Sequence, residues 1–253
     1  GGKHVRMWAR NPDLVDEINK NRTNTRYLGP GILPEGIIAD SNLEACCTQS
    51  KILIYACPSS AFPNMMQEVE PFINKGRKPF LVNTAKGLDV ESLIFHHQII
   101  KKIYGYLYLR NRFLCLSGPS FAAEIFRDLP TCVTLAGLSK KSARFVQLAL
   151  STSTFRPYIS HDLIGCQLGG AMKNVIAIAA GLAEGMNMGN NTIAALINLG
   201  FSEIVRFGIS RGGKTHTFLG LSGMGDLMLT CYGNLSRNRA FGVALGQGKS
   251  VEN

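Results

Sequence analysis

Lys51-Ile52-Leu53-Ile54-Tyr55-Ala56-Cys57 is a near-continuous apolar run stopped by Pro58. A strand that is apolar on both faces belongs in a sheet covered on both faces, which is the usual state of parallel sheets. Similar runs occur on either side of it. Residues 4–8, 79–84, 112–117, 131–136 and 155–159 read as further strands. Between them lie amphipathic segments that read as helices. These are 11–21, with Leu14, Val15 and Ile18 on one face, then 61–73, 90–103 and 140–150. Pro63 fits the first turn of the second helix, and Pro71 falls near its end. Apolar strands alternating with helices predict a doubly wound α/β unit built on a parallel sheet. Ligands of such sheets sit beyond the carboxyl ends of the strands. Three of those ends carry suggestive chemistry: Cys57-Pro58-Ser59, Thr84-Ala85-Lys86-Gly87 and Ser117-Gly118-Pro119-Ser120.

Past residue 160 the strand pattern stops. Residues 161–184 read as one long helix, apolar nearly all round and therefore buried. Further helices are expected at 191–207, 226–231 and 237–245. The sequence thus divides into an α/β unit over 1–158 and an all-α unit over 159–253, with no internal repeat or low-complexity segment.

The 253 residues are 45% hydrophobic and 17% charged, enough apolar material for a packed core, which excludes wholesale disorder. An excess of 27 Lys and Arg over 17 Asp and Glu gives a net charge of +10 and points to anionic partners. The basic residues are scattered, at 75–78, 101–102, 110–112, 140–141 and 237–239, rather than gathered into a nucleic-acid-reading stripe. The seven cysteines (Cys46, Cys47, Cys57, Cys115, Cys132, Cys166 and Cys231) form no Cys-x-x-Cys pair, and several sit in apolar runs. That pattern predicts a reducing compartment and no metal site. Residues 164–183 are mostly apolar but carry Gln167, Lys173 and Asn174, which are expensive in lipid, so no membrane span is expected.

Lys173 is the most informative single residue. It stands in Gly169-Gly170-Ala171-Met172-Lys173-Asn174, on an otherwise apolar helix. Lysines are seldom buried without a partner, and desolvation lowers an ammonium pKa toward the range useful for proton transfer. The paired glycines would let a ligand or another backbone come close. The plain alternative is a lysine that reaches the surface along its aliphatic stem. Lys86 follows a buried strand, where it either meets an anionic ligand or is a solvated loop residue. Asp226 ends a glycine-rich turn, Gly220-Leu221-Ser222-Gly223-Met224-Gly225. It either anchors a helix N-terminus or holds a substrate hydroxyl or a lysine. Ser236 is a candidate N-cap, and a helix start flanked by Arg237 and Asn238 suits a phosphate; an ordinary cap with exposed arginines fits the pattern equally. Gly208-Ile209-Ser210-Arg211-Gly212-Gly213-Lys214-Thr215 matches a P-loop pattern, but it follows a predicted helix, not the strand that motif needs.

Taken together, these segments resemble the NAD(P)-dependent glycerol-3-phosphate dehydrogenase family. The likeness is carried by Trp8-Ala9-Arg10, Tyr27-Leu28, Thr84-Ala85-Lys86-Gly87-Leu88, Ser117-Gly118-Pro119-Ser120-Phe121-Ala122, and by 167–178, 220–231 and 236–241, in family order over essentially the whole chain. The Gly-Gly-x-x-Lys-Asn run, the Gly-x-Gly-Asp-Leu turn and the Ser-Arg-Asn-Arg run form a highly specific set. The resemblance implies a Rossmann-type sheet domain followed by a helical substrate domain. It implies reversible hydride transfer between sn-glycerol 3-phosphate and dihydroxyacetone phosphate, with NAD or NADP as cofactor. Lys173 would then be the proton acceptor, and Lys86, Gly118, Ser120, Asp226 and Thr230 would line the substrate. Ser236, Arg237 and Asn238 would hold its phosphate. Arg10, Tyr27, Lys86, Ala122 and Arg237 would touch the dinucleotide. A cytoplasmic homodimer with no nucleic-acid partner is expected.

Some features depart from the family. Its opening strand and Gly-x-Gly-x-x-Gly turn are absent, and Arg10 falls where the residue about 20 positions beyond that turn belongs. The chain therefore reads as a fragment, with about 20 residues expected ahead of Gly1 by the same spacing and further helices after Asn253. An arginine in place of Asp or Glu at position 10 removes the carboxylate that would repel a 2′-phosphate, so NADP should be tolerated. The β-hydroxyacid and 6-phosphogluconate dehydrogenases are the nearest enzymatic rivals. They place an asparagine four residues after the helix lysine, where this chain has Ala177 and instead has Asn174 directly after the lysine. A basic nucleic-acid-binding module is the rival from another class.

Overall fold

The computed structural model describes residues 4–74, 78–89 and 91–250. The first half runs β1 (Val5–Trp8), α1 (Pro12–Asn21), α2 (Thr25–Leu28), β2 (Ile37–Asp40), α3 (Leu43–Thr48), β3 (Ile52–Tyr55), α4 (Phe62–Asn74) and β4 (Phe80–Asn83). It continues through α5 (His96–Tyr104), α6 (Tyr106–Arg112), β5 (Phe113–Ser117), α7 (Ala122–Phe126), β6 (Thr131–Gly137), α8 (Lys140–Leu150) and β7 (Phe155–Ser160). Five helices complete it: α9 (Leu163–Gly185), α10 (Asn190–Ser210), α11 (Thr215–Phe218), α12 (Asp226–Tyr232) and α13 (Arg237–Gly246). A π-helical turn, Leu221–Gly225, leads directly into α12.

The expected strands and the long helices are all present, and the differences have local causes. β2 was not expected from the sequence; its four residues pair in parallel with β1, Val5 opposite Ile37 and Trp8 opposite Asp40. The helix expected at 90–103 starts only at His96, and Val90 lies outside the described residues, as do 75–77 of the first basic run. Ahead of it, Asp89 accepts the Ser92 amide at 2.9 Å and Leu93 takes a left-handed φ of 55°, which together make a turn. Gly105, at φ 81°, separates α5 from α6, which was not expected either.

The strands form a two-stranded sheet, β1-β2, and a five-stranded one in the order β3-β4-β5-β6-β7. Every described strand pair is parallel except β5 with β6, which is antiparallel. The sequence alone suggested parallel pairing throughout. The connection from Ser117 to Thr131 holds only the five-residue α7 and stays at one edge of the sheet. A parallel return needs a longer crossover helix.

Phe62, Met66, Ile100, Phe113 and Cys115 fill one face of the large sheet, and Val82, Leu114, Leu135, Ala143 and Val146 fill the other, beneath α8. A third core joins Leu168, Ala177, Ile197, Phe201, Phe218 and Leu227 among the last helices. α9 serves both units, since Leu163 and Cys166 belong to the sheet core and Leu168 to the helical one. α9 and α10 are long and apolar enough to cross a membrane by length and composition, but α9 is the central packed helix of the fold, with Gln167 and Lys173 buried on it. Its start is set by Asp162, whose Oδ1 accepts the Gly165 amide at 2.8 Å.

Candidate active site

Three charged side chains from three distant parts of the chain meet where the large sheet touches the last helices. Lys86 comes from the loop after β4, Lys173 from the middle of α9, and Asp226 from the first position of α12. Lys173 Nζ donates to Asp226 Oδ1 at 2.5 Å and to Thr230 Oγ1 at 2.7 Å. Lys86 Nζ lies 2.9 Å from Asp226 Oδ1 and 2.8 Å from Oδ2, and donates to the Gly118 carbonyl at 2.8 Å. Thr230 Oγ1 in turn donates to the Asp226 carbonyl, one helical turn back, at 2.6 Å. Asp226 is fully buried, whereas 22% of the Lys86 side chain is exposed, so the cluster opens to solvent on the Lys86 side.

One carboxylate between two ammonium groups leaves a net positive charge in a dry place. Burial pulls the Lys173 pKa down to about 8; the Asp226 carboxylate resists that shift and the Lys86 charge adds to it. An ammonium tuned near neutrality beside a second positive charge can take or give a proton next to an anionic ligand.

The paired glycines bring the backbones this close. A Cβ at Gly170 would stand 3.1 Å from Ser117 Oγ and 3.4 Å from Lys86 Cγ, and one at Gly169 would meet the Ser222 carbonyl oxygen at 2.5 Å. Gly169 thus admits another backbone and Gly170 the Ser117 and Lys86 side chains, close approaches of the kind the Gly-Gly pair suggested. Gly118 has a φ of 135° with Val133 Cα only 3.1 Å from where its Cβ would be, which allows its carbonyl to face Lys86.

A second corner forms beside the first. Ser236 caps α13, its Oγ accepting the Arg239 amide at 3.2 Å. Asn238 Nδ2 donates to Asn174 Oδ1 at 2.9 Å, so the residue after Lys173 touches the start of α13. Arg237 is exposed, and Arg239 is engaged by Glu184 at 2.5 Å. Ser120 Oγ donates to the Gly118 carbonyl at 3.0 Å, and Ala122 opens α7.

Other expected residues stand apart. Arg10 is exposed just past β1, and Tyr27 is 64% exposed, with the Arg26 guanidinium 5.5 Å from its ring centre. The carboxyl ends of β1, β3, β4 and β5 form the rim on which a doubly wound sheet carries a dinucleotide. The side chains at that rim fit such a group. Arg10 pulls down the pKa of the Cys57 thiol just past β3, although burial of the thiol outweighs it. Arg10 thus lies close enough to the end of β3 to act on the thiol there. Ser117 Oγ, at the end of β5, is buried without a hydrogen-bond partner among the described residues.

The P-loop-like run spans the end of α10 and the turn into α11, and its Lys214 amide donates to Asp162 Oδ2 at 2.8 Å. A helix precedes it where a phosphate-cradling loop needs a strand. Sequence reasoning gave no site role to Asn83, His96 or His97, and used Gln167 and Asn174 only as polar residues on an apolar helix and as part of the family pattern. The available signal was a polar residue at the end of an apolar strand: Asn83 closes β4 and is fully buried.

A largely parallel sheet followed by a helical unit that brings a buried lysine to the carboxyl ends of its strands defines the class of two-domain, dinucleotide-dependent dehydrogenases. The model of the NAD-dependent glycerol-3-phosphate dehydrogenase N-terminus matches residues 1–143, and that of its C-terminus matches residues 162–253. The chain belongs to the NAD-dependent glycerol-3-phosphate dehydrogenase family. It is 42% identical over 251 residues to the NAD(P)+ glycerol-3-phosphate dehydrogenase of Halothermothrix orenii, covering 99% of this chain and 72% of that one. It is 43% identical over 254 residues to that of Syntrophobacter fumaroxidans, covering 99% and 73%. The crystal structure of glycerol-3-phosphate dehydrogenase from Coxiella burnetii superposes with a TM-score of 0.92 at 36% identity, over 99% of this chain and 75% of that one. Its activity is therefore NAD(P)-dependent glycerol-3-phosphate dehydrogenation, an oxidoreductase reaction on a small molecule, and the rival readings are not favoured.

Proposed function

We propose that Lys173 is the proton acceptor of this reaction and that Lys86, Asp226 and Thr230 set its charge and direction. The observation that carries the reading is the Lys86–Asp226–Lys173 cluster, with one ammonium held near neutral pKa and a carboxylate shared between both. Neutral Lys173 removes the C2 hydroxyl proton of sn-glycerol 3-phosphate as the C2–O bond becomes a carbonyl. The chemistry that NAD or NADP would supply at the residues named below is acceptance of the C2 hydride, and its return in the reverse direction. In reverse, the Lys173 ammonium returns its proton to the carbonyl oxygen of dihydroxyacetone phosphate. Thr230 and Asp226 fix the amine's direction, so that its free position faces the substrate.

Gly118, Ser120 and Lys86 line the substrate. Ser236, Arg237 and Asn238 hold its phosphate at the start of α13, where backbone amides and a guanidinium favour an anion. Anchoring the phosphate there places C2 rather than C1 before Lys173. Arg10, Tyr27, Lys86, Ala122 and Arg237 contact the dinucleotide, and Arg10 tolerates a 2′-phosphate. Residues 1–158 act as the dinucleotide domain and 159–253 as the substrate domain, within a cytoplasmic homodimer. Lys173→Met tests the central role. Turnover should fall by about 10²- to 10⁴-fold, the usual contribution of a general acid or base, while the reduced dinucleotide still binds by fluorescence titration. Near-parental turnover would remove Lys173 from the mechanism.

A further inference from the structure

His96 and His97 open α5 at the junction of the two units, and each accepts a hydrogen bond from a side-chain amide, one at the end of the strand that leads to Lys86 and the other on the helix that bears Lys173. Asn83 Nδ2 lies 2.9 Å from His96 Nδ1, and Asn83 stands three residues before Lys86. Gln167 Nε2 lies 3.0 Å from His97 Nδ1, and Gln167 is on α9, the helix that bears Lys173.

Backbone partners fix which way each amide points. Asn83 Oδ1 accepts the Ala85 amide at 3.0 Å, which leaves Nδ2 for His96. Gln167 Oε1 accepts the His97 amide at 3.2 Å and Nε2 donates to the Leu163 carbonyl at 3.0 Å, which leaves the same nitrogen for the His97 ring. Both Nδ1 atoms are therefore acceptors, and both rings are neutral with their hydrogen on Nε2. The surroundings agree. Burial pulls the His96 pKa down to about 4 and lowers that of His97, and the His96 ring stacks on Phe62 with centroids 4.2 Å apart. His96, Asn83 and Gln167 are all buried.

We infer that the His96-His97 pair, as two neutral acceptors, is a positioning device that registers the Lys86 loop against the Lys173 helix. One rigid dipeptide grips both carriers, so their offset is set across the junction and the two ammonium groups converge on a single carboxylate. The inference rests on the proposed working roles of Lys86 and Lys173.

His97 is the variable to test, because it is only partly buried. In His97→Phe the ring remains and the acceptor is lost, whereas in His97→Asn an Oδ1 replaces Nδ1 at the same number of bonds from Cα. The expected result is a kcat about ten- to a hundredfold lower for His97→Phe, in keeping with the cost of a misplaced reacting group. KM for the dinucleotide should stay within about twofold, and His97→Asn should recover most of the lost kcat by that same geometric argument. If His97→Phe does not fold, Gln167→Met removes the same bond from the helix side and is read in the same way. Parental kcat in the folded His97→Phe or Gln167→Met protein, or equal impairment of His97→Phe and His97→Asn, overturns the inference. Lys173→Met measured in parallel separates the two ideas. Activity in that variant sinks the lysine role itself, whereas an inactive Lys173→Met beside a parental His97→Phe sinks only the positioning.

Discussion

The lysine cluster and the residues proposed to contact the dinucleotide are built in opposite ways. Lys173, Asp226 and Thr230 are buried and already bonded to each other. Arg10, Tyr27 and Arg237 are exposed, and none of them bonds to that cluster. The cluster bears the electrostatic cost of its charges on folding, so nothing there must reorganise when substrate arrives. The rim keeps its charges in water until a ligand desolvates them, where each is worth less and is screened by salt. On the proposed roles, chemistry is pre-arranged and binding is left adjustable.

The sharpest test of that contrast is the loss of about 10²- to 10⁴-fold expected for Lys173→Met, against modest losses for any single rim residue. The pH profile comes next. Oxidation of glycerol 3-phosphate needs neutral Lys173, so kcat/KM should fall about tenfold per pH unit below a pKa near 8 and level off above it. The reductive direction needs the ammonium and should fall above the same pH. A flat profile from pH 6 to 9 in both directions would mean that Lys173 does not titrate in the reaction. At the rim, Arg10→Ala should weaken NADPH by about tenfold, the worth of one charge-assisted bond, and leave NADH nearly unchanged. Equal loss for both would place Arg10 away from the 2′-phosphate. Lys214→Ala should not alter dinucleotide affinity at all, since its run is a helix end tied to Asp162. A clear loss of nucleotide binding would reopen the P-loop reading.

Much of the fold was legible because the decisive pattern is local. Residues 51–57 are apolar on both faces whatever surrounds them, and the same reading located β4, β5, β6 and β7. The antiparallel step at β6 escaped because strand direction depends on how the Ser117–Thr131 connection travels, not on the strand's own residues. Lys173 stood out as a charge within an apolar helix, and the glycines before it signalled close approach. His96 and Gln167 escaped because a buried polar residue has meaning only through its partner, and those partners are 13 and 70 positions away along the chain.

By itself the sequence determined the alternating architecture, the apolar strands and the identity of the lysines, because periodicity and burial preference are carried by neighbouring residues. Tertiary structure alone decided that Lys86 and Lys173 share the Asp226 carboxylate and that two histidines span the gap between their carriers. Those contacts join residues up to 140 positions apart. Their strength depends on the distance and dryness produced by packing, which no local pattern encodes.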